Sequence, residues 1–322
     1  VLSSHLLGHV PADTIVVTPV SASSVQYQIN GGAPVTLAGI PSFTFNGLAG
    51  DDLMTVNLNA NALPTGGIFY NGGAHDLPLN TGSDLQEGDV LSVIGTGTQT
   101  ATYFGDADLS ADDRDGTVAI FGQGLITFTQ LEPVDMQSLL VANVTFEGNN
   151  DIISIVDGFD ADTNLLRSLV ISGTSNKFSA EPFESVHLRN NTTVNIDTTT
   201  VDGSDAITIS SGTEAHLNVN LNILTGGGVD SVLVPGSLTV TGNIGITSQS
   251  IAFASGTLTA GVAGTVALDA GAGSITTGAG LSVAGQSLVA TATTGIDLNS
   301  TVTNITATRG ISSSMKPTTR MC

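Results

Sequence analysis

Apolar and polar residues alternate along most of this chain in short runs. "VQYQI", "FTFNG", "ATYFG", "TVAIFG", "LITFT", "VTFEG", "LVISG", "TVNID" and "LNVNL" all show it. Successive side chains of a strand point to opposite faces, so such runs predict half-buried strands. One template recurs: aspartate, any residue, a large apolar residue, any residue, then Val or Ile. It stands at Asp13 ("DTIVV"), Asp52 ("DLMTV"), Asp89 ("DVLSV"), Asp151 ("DIISI"), Asp205 ("DAITI") and Asp230 ("DSVLV"). In most of these copies a glycine lies shortly before the aspartate. Glycine supplies a tight turn, and aspartate can accept bonds from nearby backbone amides. Each copy therefore predicts a turn followed by a strand with one buried face. The copies are unevenly spaced, widest between Asp89 and Asp151 and closest between Asp205 and Asp230. The whole reads as an all-β chain of short strands. Helical signal is confined to "DADTNLLRSLVIS" (160–172), whose end reads as strand, and to one short turn within "LEPVDMQSLLVANVTF" (131–146).

The last third is more regular. "SIAFASGTL", "ALDAGAGSI", "SLVATATTGI" and "NITATRGI" begin with the aliphatics Ile251, Leu268, Leu288 and Ile305, which follow one another at nearly even intervals. A second aliphatic follows each small-residue stretch, at Leu258, Ile275, Ile296 and Ile311. No such unit can bury its apolar face alone, but stacked units cover one another. A period of about 20 residues is the length of one coil of a β-solenoid. At ~4.8 Å per coil, about fifteen coils would make a rod ~70 Å long, with edges open to further pairing only at its ends. The expected division is an irregular lead-in over 1–12, an irregular solenoid with loop insertions over 13–225, regular repeats over 226–311 and a tail over 312–322. Tandem β-sandwich modules over 1–215 are the structural alternative, since strands at this spacing suit a sandwich too.

Composition favours thin repeated layers. Of the residues 40% are apolar, but only 4% are aromatic, tryptophan is absent and glycine numbers 39. The net charge is -21, which repels nucleic-acid and anionic membrane surfaces and suits a solvated extracellular one. The single cysteine, Cys322, excludes an intrachain disulfide. Residues 231–268 carry no charge, but Gly, Ser, Thr and Pro235 interrupt them, so no spanning helix is expected. The chain opens at Val1 without a signal-peptide pattern. Three of its seven cations, Arg309, Lys316 and Arg320, cluster at the C-terminal end. It reads as a piece of a longer protein that continues at both ends.

The stretch "GSLTVTGNIGITSQSIAFASGTLTAGVAGTVALDAGAGSITTGAGLSVAGQSLVATATTGIDL" resembles the repeat region of filamentous-haemagglutinin-like bacterial adhesins. "GDVLSVIGTGTQTATY", "GLITFTQLEPVD" and "FESVHLRNNTTVNIDT" resemble modules of very large repetitive surface proteins of environmental bacteria. Together these segments cover roughly residues 88–310. The resemblance implies export, a right-handed parallel β-helix and a part in adhesion, a stalk or the cell envelope. Surface glycans or matrix are then the implied partners. No secretion-guiding cap of the haemagglutinin type is visible at the N-terminus.

Candidate chemistry is sparse. "GLAGDDLMT" (47–55) is an imperfect copy of the glycine-aspartate nonapeptide of calcium-binding β-rolls, with Leu48 in place of the second glycine, and makes Asp52 a candidate calcium ligand. The loop "DADLSADDRDG" crowds Asp106, Asp108, Asp112, Asp113 and Asp115 together, as calcium requires. It is not an EF-hand, because Ala111 and Thr117 replace the needed glycine and glutamate. "DGFDADTN" (157–164) is similar. Among the histidines His5, His9, His75, His187 and His216, His5 and His9 lie four apart but have no third ligand for zinc. No nucleophile elbow or phosphate loop is present. A polysaccharide-active β-helix enzyme is the catalytic alternative. It would need a cation beside its acids, and only Arg114, Arg167, Lys177 and Arg189 lie within the body. The expectation is a non-catalytic segment, with a calcium-binding repeat protein of the hemolysin type as the further alternative and calcium as the one possible cofactor.

Overall fold

The computed structural model describes residues 4–7, 12–74, 88–105, 115–131, 133–146, 148–163, 165–176, 180–210, 219–278 and 280–309. Ile311 and the tail expected over 312–322 lie outside these residues. Every regular element among the described residues is a strand. Neither stretch with helical signal is helical. Val134–Gln137 and Val141–Thr145 occupy the stretch 131–146, and Arg167–Asn176 takes up the end of 160–172. In both, residues two apart share the core face: Val134 with Met136, and Leu169 with Ile171.

The strands form a thirteen-stranded front sheet, a fifteen-stranded back sheet and a four-stranded side sheet. Over most of its length the chain passes from back to front and returns, laying each strand beside an earlier one. In the back sheet Thr14–Ser21, Leu53–Asn57, Val90–Ile94, Val134–Gln137 and Val186–Arg189 lie parallel in succession. In the front sheet Thr100–Gly105, Val141–Thr145, Thr193–Asp197 and Asn220–Leu224 do the same. Greek-key sandwiches would need antiparallel neighbours here, so long parallel mixed sheets replace the sandwich alternative over 1–215. The arrangement is compatible with a β-helix.

Inward side chains stack in columns. Val194, Leu221, Ile244, Val266, Leu288 and Ile305 follow one another in the front sheet. Ile153, Ile207, Val232, Ile251, Ile275 and Ile296 do so in the back sheet. A single apolar cluster runs from Ile15 to Ala292. The repeat phase read from sequence mixes the two faces, because Ile251 belongs to the back sheet while Leu268 and Leu288 belong to the front. Within the front sheet Leu288 pairs with Val266, and Leu268 pairs with Ala290. The true front-sheet rungs are Ile244, Val266, Leu288 and Ile305, each the register partner of the next.

Two antiparallel excursions interrupt this order. In the front sheet, Gly116–Ile120 and Gly124–Thr129 lie between Thr100–Gly105 and Ile68–Ala74. In the back sheet, Ile152–Phe159 and Arg167–Asn176 lie between Ala206–Ile209 and Val186–Arg189. Each excursion adds two strands to its own sheet. Counted inclusively, seven strands run from Ile68–Ala74 to Asn220–Leu224, and seven from Leu53–Asn57 to Ala206–Ile209. The two sheets leave step at the first excursion and regain it at the second.

Ser24–Ile29 folds back antiparallel on Thr14–Ser21, and Val35–Ala38 antiparallel on Ser24–Ile29, so together they cover that end of the back sheet. The side sheet, Leu238–Thr239, Leu258–Thr259, Val283–Ala284 and Ser300–Thr301, accompanies only the last rungs.

Candidate functional site

The six template aspartates occupy one kind of position, the corner just before a back-sheet strand, and all six are buried. At this corner the chain turns away, and the strand's leading amide would lose its ladder acceptor. The aspartate of the next rung supplies one. Asp13 N donates to Asp52 Oδ1 at 2.5 Å, and Asp52 N to Asp89 Oδ1 at 2.7 Å. Asp151 N donates to Asp205 Oδ1 at 2.8 Å, and Asp205 N to Asp230 Oδ1 at 3.0 Å. The aspartate carbonyls meanwhile accept regular ladder bonds, as from Leu53 N to Asp13 O and from Ala206 N to Asp151 O. The carboxylate thus continues the sheet by one bond past its edge. A charge-assisted bond of this kind contributes about 1.5–3 kcal/mol.

The second carboxylate oxygens meet small or hydroxylic neighbours. Thr198 Oγ1 donates to Asp205 Oδ2 at 2.6 Å, and Thr225 Oγ1 to Asp230 Oδ2 at 3.1 Å. Ser175 Oγ donates to Asp151 Oδ1 at 2.7 Å. Beside Asp52 and Asp89 the chain uses glycine. A Cβ at Gly47 would lie 2.3 Å from Asp52 Oδ2, and one at Gly72 would lie 2.4 Å from Asp89 Oδ2. Leu48 follows with φ of 81°, the conformation that the glycine of a β-roll nonapeptide would take without strain. Burial pushes the Asp205 carboxyl above its ordinary range, against the bonds from Asp151 N and Thr198. Burial likewise raises the Tyr70 and Tyr103 hydroxyls, with the Asp89 and Asp52 charges adding to the first and Glu184 to the second. Tyr103 Oη donates to the buried Glu184 Oε2 at 2.7 Å.

Asp52, a proposed calcium ligand, is therefore a corner residue that accepts a backbone amide, and Asp115, the described member of the crowded loop, lines a hollow on the outer face of the front sheet beside Phe104. Asp106, Asp108, Asp112 and Asp113 lie outside the described residues. "DGF" of "DGFDADTN" ends the strand Ile152–Phe159, and residues 160–163 turn over the outer face of the back sheet. There Asp135 accepts bonds from Ala161 N and Asp162 N at 2.8 to 3.1 Å. Asp162 Oδ2 accepts one from Gln137 Nε2 at 3.0 Å. Asp160 Oδ1 receives Leu165 N and Leu166 N, and its Oδ2 receives Thr163 Oγ1. Arg189 bonds Gln137 Oε1 and stands 3.9 Å from Asp160 Oδ2. His187 Nδ1 meets the Phe159 carbonyl oxygen at 2.5 Å.

This cover explains why "VLSVI", "VDMQ" and "VHLR" are buried on both faces instead of alternating. Burial, with Asp162 and Asp160 nearby, pushes the Asp135 carboxyl up to about 8 against its backbone bonds. Burial also raises Asp162, whereas at Asp160 the effect of burial is overcome by its hydrogen bonds and the carboxyl is lowered. No group of three His, Cys, Asp or Glu side chains among the described residues is placed to hold a metal ion. The oxygens of this cluster are turned to amides and to the strand beneath. Sequence reasoning marked the acidic stretch and named Arg189 as a cation of the body, but it did not find Asp135 or Gln137, which lie in another strand and match no spacing rule.

An open groove lies on the outer face of the front sheet, with a volume of about 500 Å³. Its floor is a ladder of amides. Asn143 Nδ2 donates to Thr102 Oγ1 at 3.0 Å, Asn195 Nδ2 to Asn143 Oδ1 at 2.8 Å, and Asn222 Nδ2 to Asn195 Oδ1 at 2.8 Å. Register places these residues on consecutive rungs, and Gly245 occupies the next. A Cβ at Gly245 would sit 2.9 Å from Asn222 Oδ1, so the glycine leaves the ladder's last oxygen facing open space. Thr145, Asp197, Leu224 and Thr247 form one wall. Of the alternating runs read from sequence, "TVNID" holds Asn195, while Asn143 and Asn222 stand just outside "VTFEG" and "LNVNL", and only the register shows that the three asparagines coincide. Among the described residues no helix is long and apolar enough to cross a membrane. Comparison with known protein families, with curated proteins and with solved structures finds no match for this chain.

Proposed function

We propose that the chain is a right-handed parallel β-helix, a non-catalytic segment of a secreted or cell-surface bacterial protein that serves as adhesin, stalk or matrix component. The observation that carries this reading is the stack of like positions. Carboxylates cap carboxylate-bearing corners, aliphatics lie over aliphatics, and one core continues through both sheets. Such a stack grows by adding rungs, and its thirteen-stranded front sheet spans ~58 Å at ~4.8 Å per strand. A surface of net charge -21 keeps such a rod solvated and apart from its copies. The glycine-rich, aliphatic last third adds the adhesin-like repeat pattern.

A polysaccharide-active enzyme is the competing reading, and the acids around Arg189 are what favours it. That cluster is roofed by Ala161 and Asp162 over Asp135, and Asp135 and Asp160 are each 1% exposed, so a substrate would have to displace the turn. Antibody raised against the chain, applied to intact cells of its source, tests the main reading. Surface label is expected. Label only after permeabilisation would overturn the location, and release of reducing or unsaturated sugar ends by the purified chain would overturn the absence of catalysis.

A further inference from the structure

The groove over Asn143, Asn195 and Asn222 has a floor, two open ends and a chemistry of its own. An asparagine amide offers two N–H donors and a carbonyl with two lone pairs, and the ladder bonds take one donor and one acceptor from each interior rung. The remaining donors and acceptors repeat along the stacking direction at the strand spacing of ~4.8 Å. The three asparagines and Thr102 are half-buried, so they are partly desolvated yet reachable. At one end Gly245 widens the groove. At the other, Thr145 pairs in register with Phe104, whose half-buried ring points outward. Phe104 also lines a neighbouring hollow of about 190 Å³ with Asp115, Thr117, Thr127 and Thr129, which adds a second carboxylate at that end. The next outward ring in that column is Phe69, 39% exposed, beside Thr127.

The lining selects its occupant. It carries two carboxylates, Asp197 in the groove and Asp115 in the neighbouring hollow, and no cation, on a chain with 28 acidic and 7 basic residues, so anionic polymers are repelled. The backbone groups beneath it are engaged in the sheet, so an added peptide strand would find no ladder to join; strand addition needs an edge. Apolar partners would strand the amides without bonds. A neutral chain of hydroxyl groups meets every requirement, since each hydroxyl both donates and accepts, and sugar C–H faces pack on a ring such as Phe104. The main hollow, at about 500 Å³, lies within the ~300–1,000 Å³ usual for ligand sites.

We propose that this face binds a neutral polysaccharide strand laid along the asparagine ladder, from Phe104 to Gly245. The inference rests on the surface-protein reading above and names its ligand class and site. The test is titration of the full chain with neutral hexasaccharides (glucan, xylan and mannan types) and, in parallel, with uronate and sulfated hexasaccharides. Calorimetry gives affinity, and the side-chain amide NMR signals of Asn143, Asn195 and Asn222 report place. Expected is binding of at least one neutral class, with those signals shifted, and at least tenfold weaker binding in both Asn195→Ala and Gly245→Val. Absence of neutral binding at millimolar ligand, unshifted amide signals, preference for the anionic sugars, or binding indifferent to Asn195→Ala would each overturn it. Should Gly245→Val not fold, the amide signals of the unaltered chain decide alone. Surface label with no glycan binding would sink this inference and leave the surface-protein reading standing.

Discussion

The first two thirds of the molecule and its last third solve the same problem with different residues. Between Asp13 and Asp230 the corners are carboxylates, the core holds Phe43, Phe45, Tyr70, Tyr103, Phe128 and Phe146, and two antiparallel excursions interrupt the stack. Beyond Asp230 the equivalent corner positions are Gln249 and Gly273, the core is aliphatic but for Phe253, and the side sheet fills a third wall. Where rungs are wide, side chains reach across to satisfy the backbone. Where rungs are narrow, backbone meets backbone and no side chain fits between. A Cβ at Gly273 would stand 1.7 Å from Gln249 O, and one at Gly261 would stand 1.8 Å from Thr241 O. Closeness is shared by both regions, since a Cβ at Gly203 would stand 1.1 Å from Asn149 O and one at Gly228 1.1 Å from Gly203 O; what the first region adds is the aspartate bonds at its corners.

Substitutions should separate the two modes. Gly273→Ala forces the backbone of two rungs apart and is expected to cost more than ~3 kcal/mol, with hydrogen exchange accelerated in the strands after Asp230 first. A variant that melts like the parent would refute the closeness argument. Next in size, Asp205→Ala deprives Asp151 N and Thr198 Oγ1 of their acceptor, for a loss of about 2–3 kcal/mol in chemical denaturation. Asp205→Asn keeps one oxygen and should lose about half of that; equal losses would show that charge, not the acceptor, matters.

The third test concerns pH. Asp135 titrates near 8 when folded and at ~3.9 when unfolded, so the native state holds a proton that the unfolded chain releases. Its contribution to stability is fully present below about pH 4 and is lost as pH rises toward 8. Asp135→Asn should therefore show a smaller decline in Tm between pH 5 and 8 than the parent, and an unchanged decline would remove Asp135 from the titration. The smallest effect has the opposite sign. Leu48 is 47% exposed at φ of 81°, so Leu48→Gly is expected to stabilise by about 1 kcal/mol in thermal melting.

The corners were legible in the sequence because their signal is local: an aspartate, an apolar residue two places on, and another at four. The six positions so marked are the corners of the structure. What local pattern cannot carry is partnership across rungs. Asp135 meets Ala161 and Asp162 because an excursion folds outward, and nothing within "VDMQ" announces it. The amide ladder is hidden similarly, since Asn143, Asn195 and Asn222 are far apart in the chain and meet only through register. The helical signal at 160–172 failed because its leucines are shared between an exposed turn, with Leu165 78% exposed, and an inward strand holding Leu169. The repeat phase failed because small-residue coils offer aliphatics on more than one wall, and spacing alone does not say which.

The paired excursions impose a rule on how such a chain can change its length. A detour on one wall puts the two walls out of alignment by two strands, and every crossing beyond it would shear unless the opposite wall makes an equal detour. Gain or loss of hairpins here must come in matched sets, one per wall, and trimming 116–129 alone would leave all later crossings slanted.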